Sequence, residues 1–504
     1  MMPKGLSCLA AWVVVIVAGC GDAAPPATVA PQPSAVGPAS GDTAAPRPKK
    51  PVRPRQPRVD KPLVDPDSPL ADAIGNGPDR AGPNASSRNI KPPVPQVATR
   101  PIDKERLSEQ GIRELKGQYL TLFTDLPAGP DVDELPAVFD AAVPQWQKYF
   151  EITEDSGWRA TAFLAADKQR FWLCGLWDDD LPEFPSGYTR GREFWMLEQP
   201  NAYYRRHLML HEGTHAFMFA HVSDVAPPWY NEGMAEYFGT HLWADGQLTT
   251  GYFPKSREEL PLWGRVKLVK DAYAARQGLT FPKVLALGPR AHLVNESYGW
   301  SWGAGAFLDG HPRYRDRFRQ MFHQARQSNF NQLLQEAYGD EWGELLEEWQ
   351  VFVANIDYGY DFERMAVRFE AGQPLPAKGA TVRVAADAGW QSTGIHLERN
   401  KAYRVEASGR YQLKQQPQAW WSEPGGVSIH YFRGSPLGIL QAAVRPDEVD
   451  PNVTSALLQY DNVGLFSTLL PTHDGTLYLR INDSPAALAD NTGTAEVSIR
   501  EIQP

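Results

Sequence analysis

The chain has 504 residues, more than one hydrophobic core usually accommodates, so two or more domains are expected. With 42% hydrophobic and 22% charged residues, it has the composition of an ordinary globular protein. A formal charge of −10 leaves no basic excess to neutralise phosphates, which excludes a general nucleic-acid binder.

The N-terminus carries a targeting pattern. Lys4 is the one charge ahead of an apolar run from Leu9 to Ala18, too short to span a bilayer comfortably, as in a signal-peptide core. Val17-Ala18-Gly19-Cys20 then resembles a bacterial lipobox, which implies cleavage before Cys20 and lipidation of that residue; the alternative is an ordinary secretory signal. Residues 1–20 are thus expected to be a lipoprotein signal peptide. Residues 21–100 are rich in Pro, Ala, Ser and Gly and cannot bury enough apolar surface to offset ordering, so a disordered tether is expected there. Cys8 would leave with the signal and Cys20 would carry lipid. Cys174 then has no disulfide partner and is expected to be a buried apolar filler.

From 101 to 368 strand and helix patterns alternate. Gln118–Thr124, Trp158–Leu164 and Glu193–Leu197 read as strands. Asp131–Phe150 reads as a helix with Leu135, Val138, Phe139, Ala142, Val143 and Trp146 on one side. Asn201–His221 predicts a long helix, followed by helices over Tyr230–Thr240, Arg257–Ala275, Tyr298–Asp309, Tyr314–Ser328 and Phe330–Ile356. The fold class expected is α+β: a small mixed sheet with a helical lobe.

The long helix contains His211-Glu212-Gly213-Thr214-His215. Residues four apart share a helix face, so His211 and His215 can reach one ion. Glu212 lies beside them, near enough to take a proton from water without ligating. Leu208, Met209, Leu210, Ala216, Phe217, Met218 and Phe219 make this helix apolar nearly all round, so two His and a Glu on it need strong partners; satisfied core histidines are the alternative. A second helix after Pro228 would return antiparallel and offer Glu232 as third ligand, leaving a fourth position for solvent. Glu236, one turn on, would accept from the free ring nitrogen of a ligand His. His207 and His221 are expected to be structural or surface residues.

With Asn231-Glu232-Gly233-Met234-Ala235-Glu236-Tyr237, this pattern resembles the gluzincin clan of metallopeptidases, which includes thermolysin and the aminopeptidase N group, and its layout is closest to peptidase MA-like domains. The resemblance covers about 101–350. It implies a zincin-like catalytic domain holding Zn²⁺ through His211, His215 and Glu232, with Glu212 as general base and Glu236 orienting a ligand. Tyr298, in Ser297-Tyr298-Gly299-Trp300-Ser301-Trp302, resembles the family's Tyr-x-x-Ser-Trp stretch, which implies an oxyanion donor; a Tyr packing at a helix start is the alternative. No Gly-x-Met-Glu-Asn segment precedes the motif, which separates this chain from the aminopeptidases. The strand Glu193–Leu197 is expected to bind substrate backbone by strand addition.

Near residue 370 the pattern changes. Thr381–Val384, Thr393–Leu397, Tyr403–Ala407, Thr476–Ile481 and Ala495–Ile499 alternate apolar and polar residues, predicting an all-β sandwich over 375–504. Ser435–Leu440, Gly475–Asp483 and Asp490–Gly493 together resemble the calcium-dependent galactophilic lectins of the LecA type. That resemblance implies a possible Ca²⁺ site at Asp483, Asp490 and Asn491; turn chemistry of Asx-rich loops is the alternative. The expected function is a lipid-anchored, extracytoplasmic zinc metallopeptidase of the bacterial cell envelope, acting on peptide or protein. Cell-surface glycan is a further expected partner. The alternative is an inactive lipid-anchored glycan- or protein-binding protein.

Overall fold

Leu120–Thr124 and Ala160–Ala165 carry nearly continuous apolar runs, as strands covered on both faces do. They form the middle of a mixed sheet. The computed structural model describes residues 12–14, 101–153, 157–260, 263–288, 290, 294–450 and 453–502. Cys20 and the expected tether lie outside them, as does the expected signal segment apart from residues 12–14. Among the described residues no helix is long and apolar enough to cross a membrane.

The sheet contains β1 (Trp12–Val14), β2 (Arg113–Lys116), β3 (Leu120–Thr124), β4 (Ala160–Ala165), β5 (Gly187–Arg190) and β6 (Glu193–Leu197), in the order β1-β5-β6-β4-β3-β2. β3, β4 and β6 run parallel, whereas β2 and β5 pair antiparallel to their neighbours. Helix α1 (Leu135–Tyr149) buries Leu135, Val138, Phe139, Ala142, Val143 and Trp146, the stripe its 3.6-residue period requires. Helices α2 (Ala202–His221) and α3 (Pro228–Gly239) follow, then a hairpin of β7 (His241–Ala244) and β8 (Gln247–Thr250). The helical lobe continues with α4 (Arg265–Ala274), α5 (Asn295–Gly310) and α6 (Trp342–Asn355).

Three expected helices are shorter than their patterns; that over Tyr314–Ser328 is α-helical only for Arg315–Gln320 and continues as a 3-10 turn over Met321–Gln324. The segment from Arg257 becomes helical only at Arg265, after Gly264. The run from Phe330 breaks at Gly339, whose φ of 50° lies in the left-handed region; the chain turns there and restarts as α6. Cys174 is half-buried rather than buried, its Sγ 3.6 Å from the Arg106 carbonyl.

The C-terminal region is separate and built of strands. β9 (Gln373–Pro374) to β20 (Thr494–Glu501) form two main sheets. One has β10 (Ala380–Ala385), β20, β12 (Tyr403–Ser408) and β18 (Phe466–Leu469) in that order. The other runs β15 (Gly425–Phe432), β16 (Ser435–Pro446), β19 (Gly475–Ile481), β11 (Gln391–Leu397), β9. Val384, Val405, Val497 and Ile499 from the first and Leu397, Leu440, Leu477 and Leu479 from the second share one core. A second contact ties this region to the helical lobe. Trp390, Ala443, Leu457, Tyr478 and Leu488 join the N-terminal core, and buried Glu347 of α6 accepts from Arg445 Nε and Ser455 Oγ, both at 2.7 Å.

Candidate metal centre

The N-cap Asn201 accepts from the Tyr204 N–H at 2.9 Å and starts α2, a helix buried on almost every side. Its His207, His211 and His215 stand at successive turns on one face. Pro228 occupies the first turn of α3, where its missing N–H costs nothing. From α3, Glu232 and Glu236, one turn apart, face those histidines. The result is an interleaved ladder in which each Glu sits between two His.

His211 Nε2 and His215 Nε2 lie 3.2 Å apart. Glu232 Oε2 is 3.4 Å from the first and 3.5 Å from the second. The three donor atoms lie within 4.8 Å of one another, and neither oxygen of Glu232 has a hydrogen-bond partner. Two ring nitrogens facing each other beside an unpartnered buried carboxylate are unfavourable unless something positive lies between them. The donor set therefore fits a divalent ion, and two imidazoles with one carboxylate suit zinc chemistry. Burial acts to raise the Glu232 carboxyl, but His215 and His211 outweigh it and hold it at about 2. Burial opposes charge on His211, yet its two flanking carboxylates lift it to about 10. On His215 burial prevails and lowers the pKa.

Glu212, next to the ligand face of the same helix, contacts β5. Thr189 donates its hydroxyl to Glu212 Oε2 at 2.5 Å, while Oε1 has no hydrogen-bond partner. Gly187 is required beside it, since a Cβ there would sit 2.2 Å from Oε1. Burial pushes this carboxyl up to about 8, against the pull of His211 and the Thr189 hydroxyl. A carboxylate with one oxygen anchored and the other open can hold and pass a proton near neutral pH.

Glu236 is bound differently. Arg265, the first residue of α4, donates through Nε to Oε2 at 2.8 Å and through Nη2 to Oε1 at 3.0 Å. His211 Nδ1 lies 3.2 Å from Glu236 Oε1, its ring turned off the best hydrogen-bond line, and His207 Nε2 lies 3.6 Å from Oε2. Burial acts to raise Glu236, but Arg265 leads the charges that hold it well below the usual range. His207, His211 and Glu236 also converge closely enough for a metal. The guanidinium already occupies both oxygens of Glu236, so a second cation there would meet a neutralised carboxylate beside a fixed positive charge.

Gly233 lets α3 and α5 approach closely: a Cβ there would meet the Ser301 carbonyl at 2.7 Å. This contact sets the first turn of α5, whose Tyr298 ring packs 6.1 Å, edge to face, from the His211 ring. His207, expected to be structural or at the surface, is buried against the ladder, with Nδ1 2.8 Å from the Gly239 carbonyl. β6 cannot add a substrate strand as expected, because β4 and β5 pair both its edges. Gly187, Thr189 and Arg265 had no local signal; they reach the centre from β5 and α4.

In the β region, Asp483 and Asn491 meet directly. Asn491 Nδ2 donates to Asp483 Oδ2 at 2.9 Å, and Ser484 N–H to Asp483 Oδ1 at 2.6 Å. Asp490 accepts from the Gln415 N–H at 3.4 Å. Among the described residues, the His, Cys, Asp and Glu groups able to hold a metal are the two around His211.

No protein-family model matches the chain, and no curated protein matches it. Among solved structures it is similar to a chain described as "EclA N-terminal domain; PllA-like lectin". The identity is 21% and the TM-score 0.19, with 24% of this chain and 95% of that one covered. At that score the likeness carries no inference about fold or ligand.

Proposed function

We propose that the chain is a zinc-dependent peptidase of the gluzincin type, with a zincin-like N-terminal domain over 101–368 and a β-sandwich over 375–504. The observation that carries this reading is the division of labour between two glutamates on one centre. Glu232 offers unpartnered oxygens to the two imidazoles, while Glu212, the residue after His211, has Oε2 held by Thr189 and Oε1 without a partner.

A zinc ion held by His211, His215 and Glu232 supplies Lewis acidity to a scissile carbonyl and to the attacking water. Glu212 Oε1 takes the proton that the water loses and passes it to the leaving amine. Thr189 holds Oε2 so that Oε1 keeps its aim. Tyr298, whose ring packs against His211, would donate to the developing oxyanion, a contact worth roughly 3 kcal/mol in such sites. Support for an extended peptide substrate comes from β5: Trp12–Val14 pairs antiparallel along its edge, with Val14 opposite Gly187. A peptide in that register passes next to Glu212. Lipid attachment at Cys20 would place this activity at the bacterial envelope, and Asp483, Asp490 and Asn491 would hold Ca²⁺ for glycan contact.

A second reading is favoured by depth. His211, Glu212 and His215 are 0% exposed and Glu232 2%, as in a metal site that braces a fold while the β region does the binding. One experiment separates the two. Zinc content and hydrolysis of a peptide library are measured for the full chain and for Glu212→Gln. The peptidase reading expects about one zinc per chain in both, and at least 100-fold less hydrolysis in the variant. Zinc in both with no hydrolysis by either supports the bracing role; equal hydrolysis by both removes Glu212 as base.

A further inference from the structure

His211 stands between two carboxylates, with Glu232 Oε2 3.4 Å from its Nε2 and Glu236 Oε1 3.2 Å from its Nδ1. Spacing alone does not decide which of the two is the ligand and which the orienting acceptor. The difference comes from outside both helices. Glu236 has both oxygens engaged by one guanidinium, in the two-pronged geometry that Arg makes with carboxylates. Glu232 has no such partner and both its oxygens are open.

We propose that Arg265 is a positioning residue of the metal centre: by gripping both oxygens of Glu236 it holds that carboxylate turned toward His211 Nδ1, which leaves His211 Nε2 free to ligate. The inference rests on the metal reading of His211, His215 and Glu232, but not on the peptidase reaction.

Arg265 is itself held on several sides. It is 3% exposed, and Nη1 donates to Asn295 Oδ1 at 3.2 Å, at the start of α5. Its guanidinium lies 5.5 Å from the centre of the Tyr298 ring, so one cation adjoins both Glu236 and the Tyr whose ring packs against His211. Glu236 is fully buried. Without the guanidinium both of its oxygens lose the two donors that fix their direction, and the side chain is free to turn away from His211. A carboxylate turned away no longer faces His211 Nδ1, and the ring loses the neighbour that sets its tautomer and orientation. Outer partners of this kind typically change metal affinity by 10- to 100-fold.

The test is Zn²⁺ affinity by competition with a chelator, with the Co²⁺ electronic spectrum as a reporter of ligand geometry. The full chain is compared with Arg265→Met, Arg265→Lys, Glu236→Gln and the double variant Arg265→Met/Glu236→Gln. Arg265→Met should bind zinc 10- to 100-fold more weakly with a changed cobalt spectrum. Arg265→Lys, which keeps the charge and loses the fork, should recover part of the loss. The double variant guards against misfolding, since it removes both charges together; it should bind no more weakly than Glu236→Gln alone. Zinc binding by Arg265→Met within threefold of the full chain, with an unchanged spectrum, overturns the proposal. So does an equal loss from Arg265→Met in the Glu236→Gln background, because Arg265 would then act elsewhere. A full chain that binds no zinc overturns the metal reading itself.

Discussion

Gly187 offers the most direct probe of how the β5 edge and the candidate base depend on each other. Its backbone has no left-handed φ, so alanine is conformationally acceptable there, and the added methyl is the whole perturbation. That methyl would lie 2.2 Å from Glu212 Oε1, 2.8 Å from its Cδ and 2.9 Å from Leu208 Cδ1. Ordinary contact requires about 3.4 Å, so Oε1 must retreat by about 1.2 Å, or β5 must shift by a similar distance. Oε2 is held by Thr189, so the carboxylate cannot simply rotate away without losing that bond. A displacement of about 1 Å at reacting groups costs on the order of 100-fold in rate, and overpacking costs roughly 1–3 kcal/mol in stability. Gly187→Ala should therefore lose about 100-fold in kcat/KM on a peptide substrate while keeping its zinc, because no metal ligand is touched. Steady-state hydrolysis and metal analysis on the same preparation check both halves. Hydrolysis within threefold of the unaltered chain would refute the assignment of Oε1 as the working oxygen.

Two further outcomes follow from neighbouring groups. Thr189→Val keeps the shape but removes the hydroxyl that helps to lower the Glu212 pKa; hydrogen bonds to charged groups are worth roughly 1.5–3 kcal/mol. The acid limb of the kcat/KM profile should move upward by about 1 pH unit or more, and superimposable profiles would count against the bond. In the β region, burial pushes Asp483 up to about 6 from the ordinary aspartate 3.8, with the Asn491 amide and Ser484 N–H pulling the other way. A raised carboxyl favours the folded state at low pH, and that contribution is lost as pH climbs from about 4 through about 6. It amounts to at most about 3 kcal/mol. The stability difference between Asp483→Asn and the unaltered chain should accordingly shift in favour of the variant between pH 4 and pH 7, read from urea midpoints; a constant difference would refute it.

The interface between the two regions shows why some contacts had no sequence signature. Glu347 looks like one more acid on a helix, yet Arg445 and Ser455, about 100 residues away, close on it. β16, the longest strand of the β region, is not among the expected strands, because its middle is buried without the two-residue alternation that marks a half-exposed strand. The hairpin of β7 and β8 and the four-residue strand β5 are too short for periodicity to register.

What the sequence determined by itself was local. A four-residue spacing puts His211 and His215 on one face, and another puts Glu232 and Glu236 on one face, because the helical repeat fixes those relations before any tertiary contact forms. The tertiary structure decided which oxygen faces what. Thr189 anchors Glu212, Gly187 makes room for it, and Arg265 separates the role of Glu236 from that of Glu232. These relations join a sheet edge and a distant helix start to the two-helix ladder. Only packing brings such atoms within 3 Å, and the burial that packing creates turns ordinary carboxylates into groups with separate tasks.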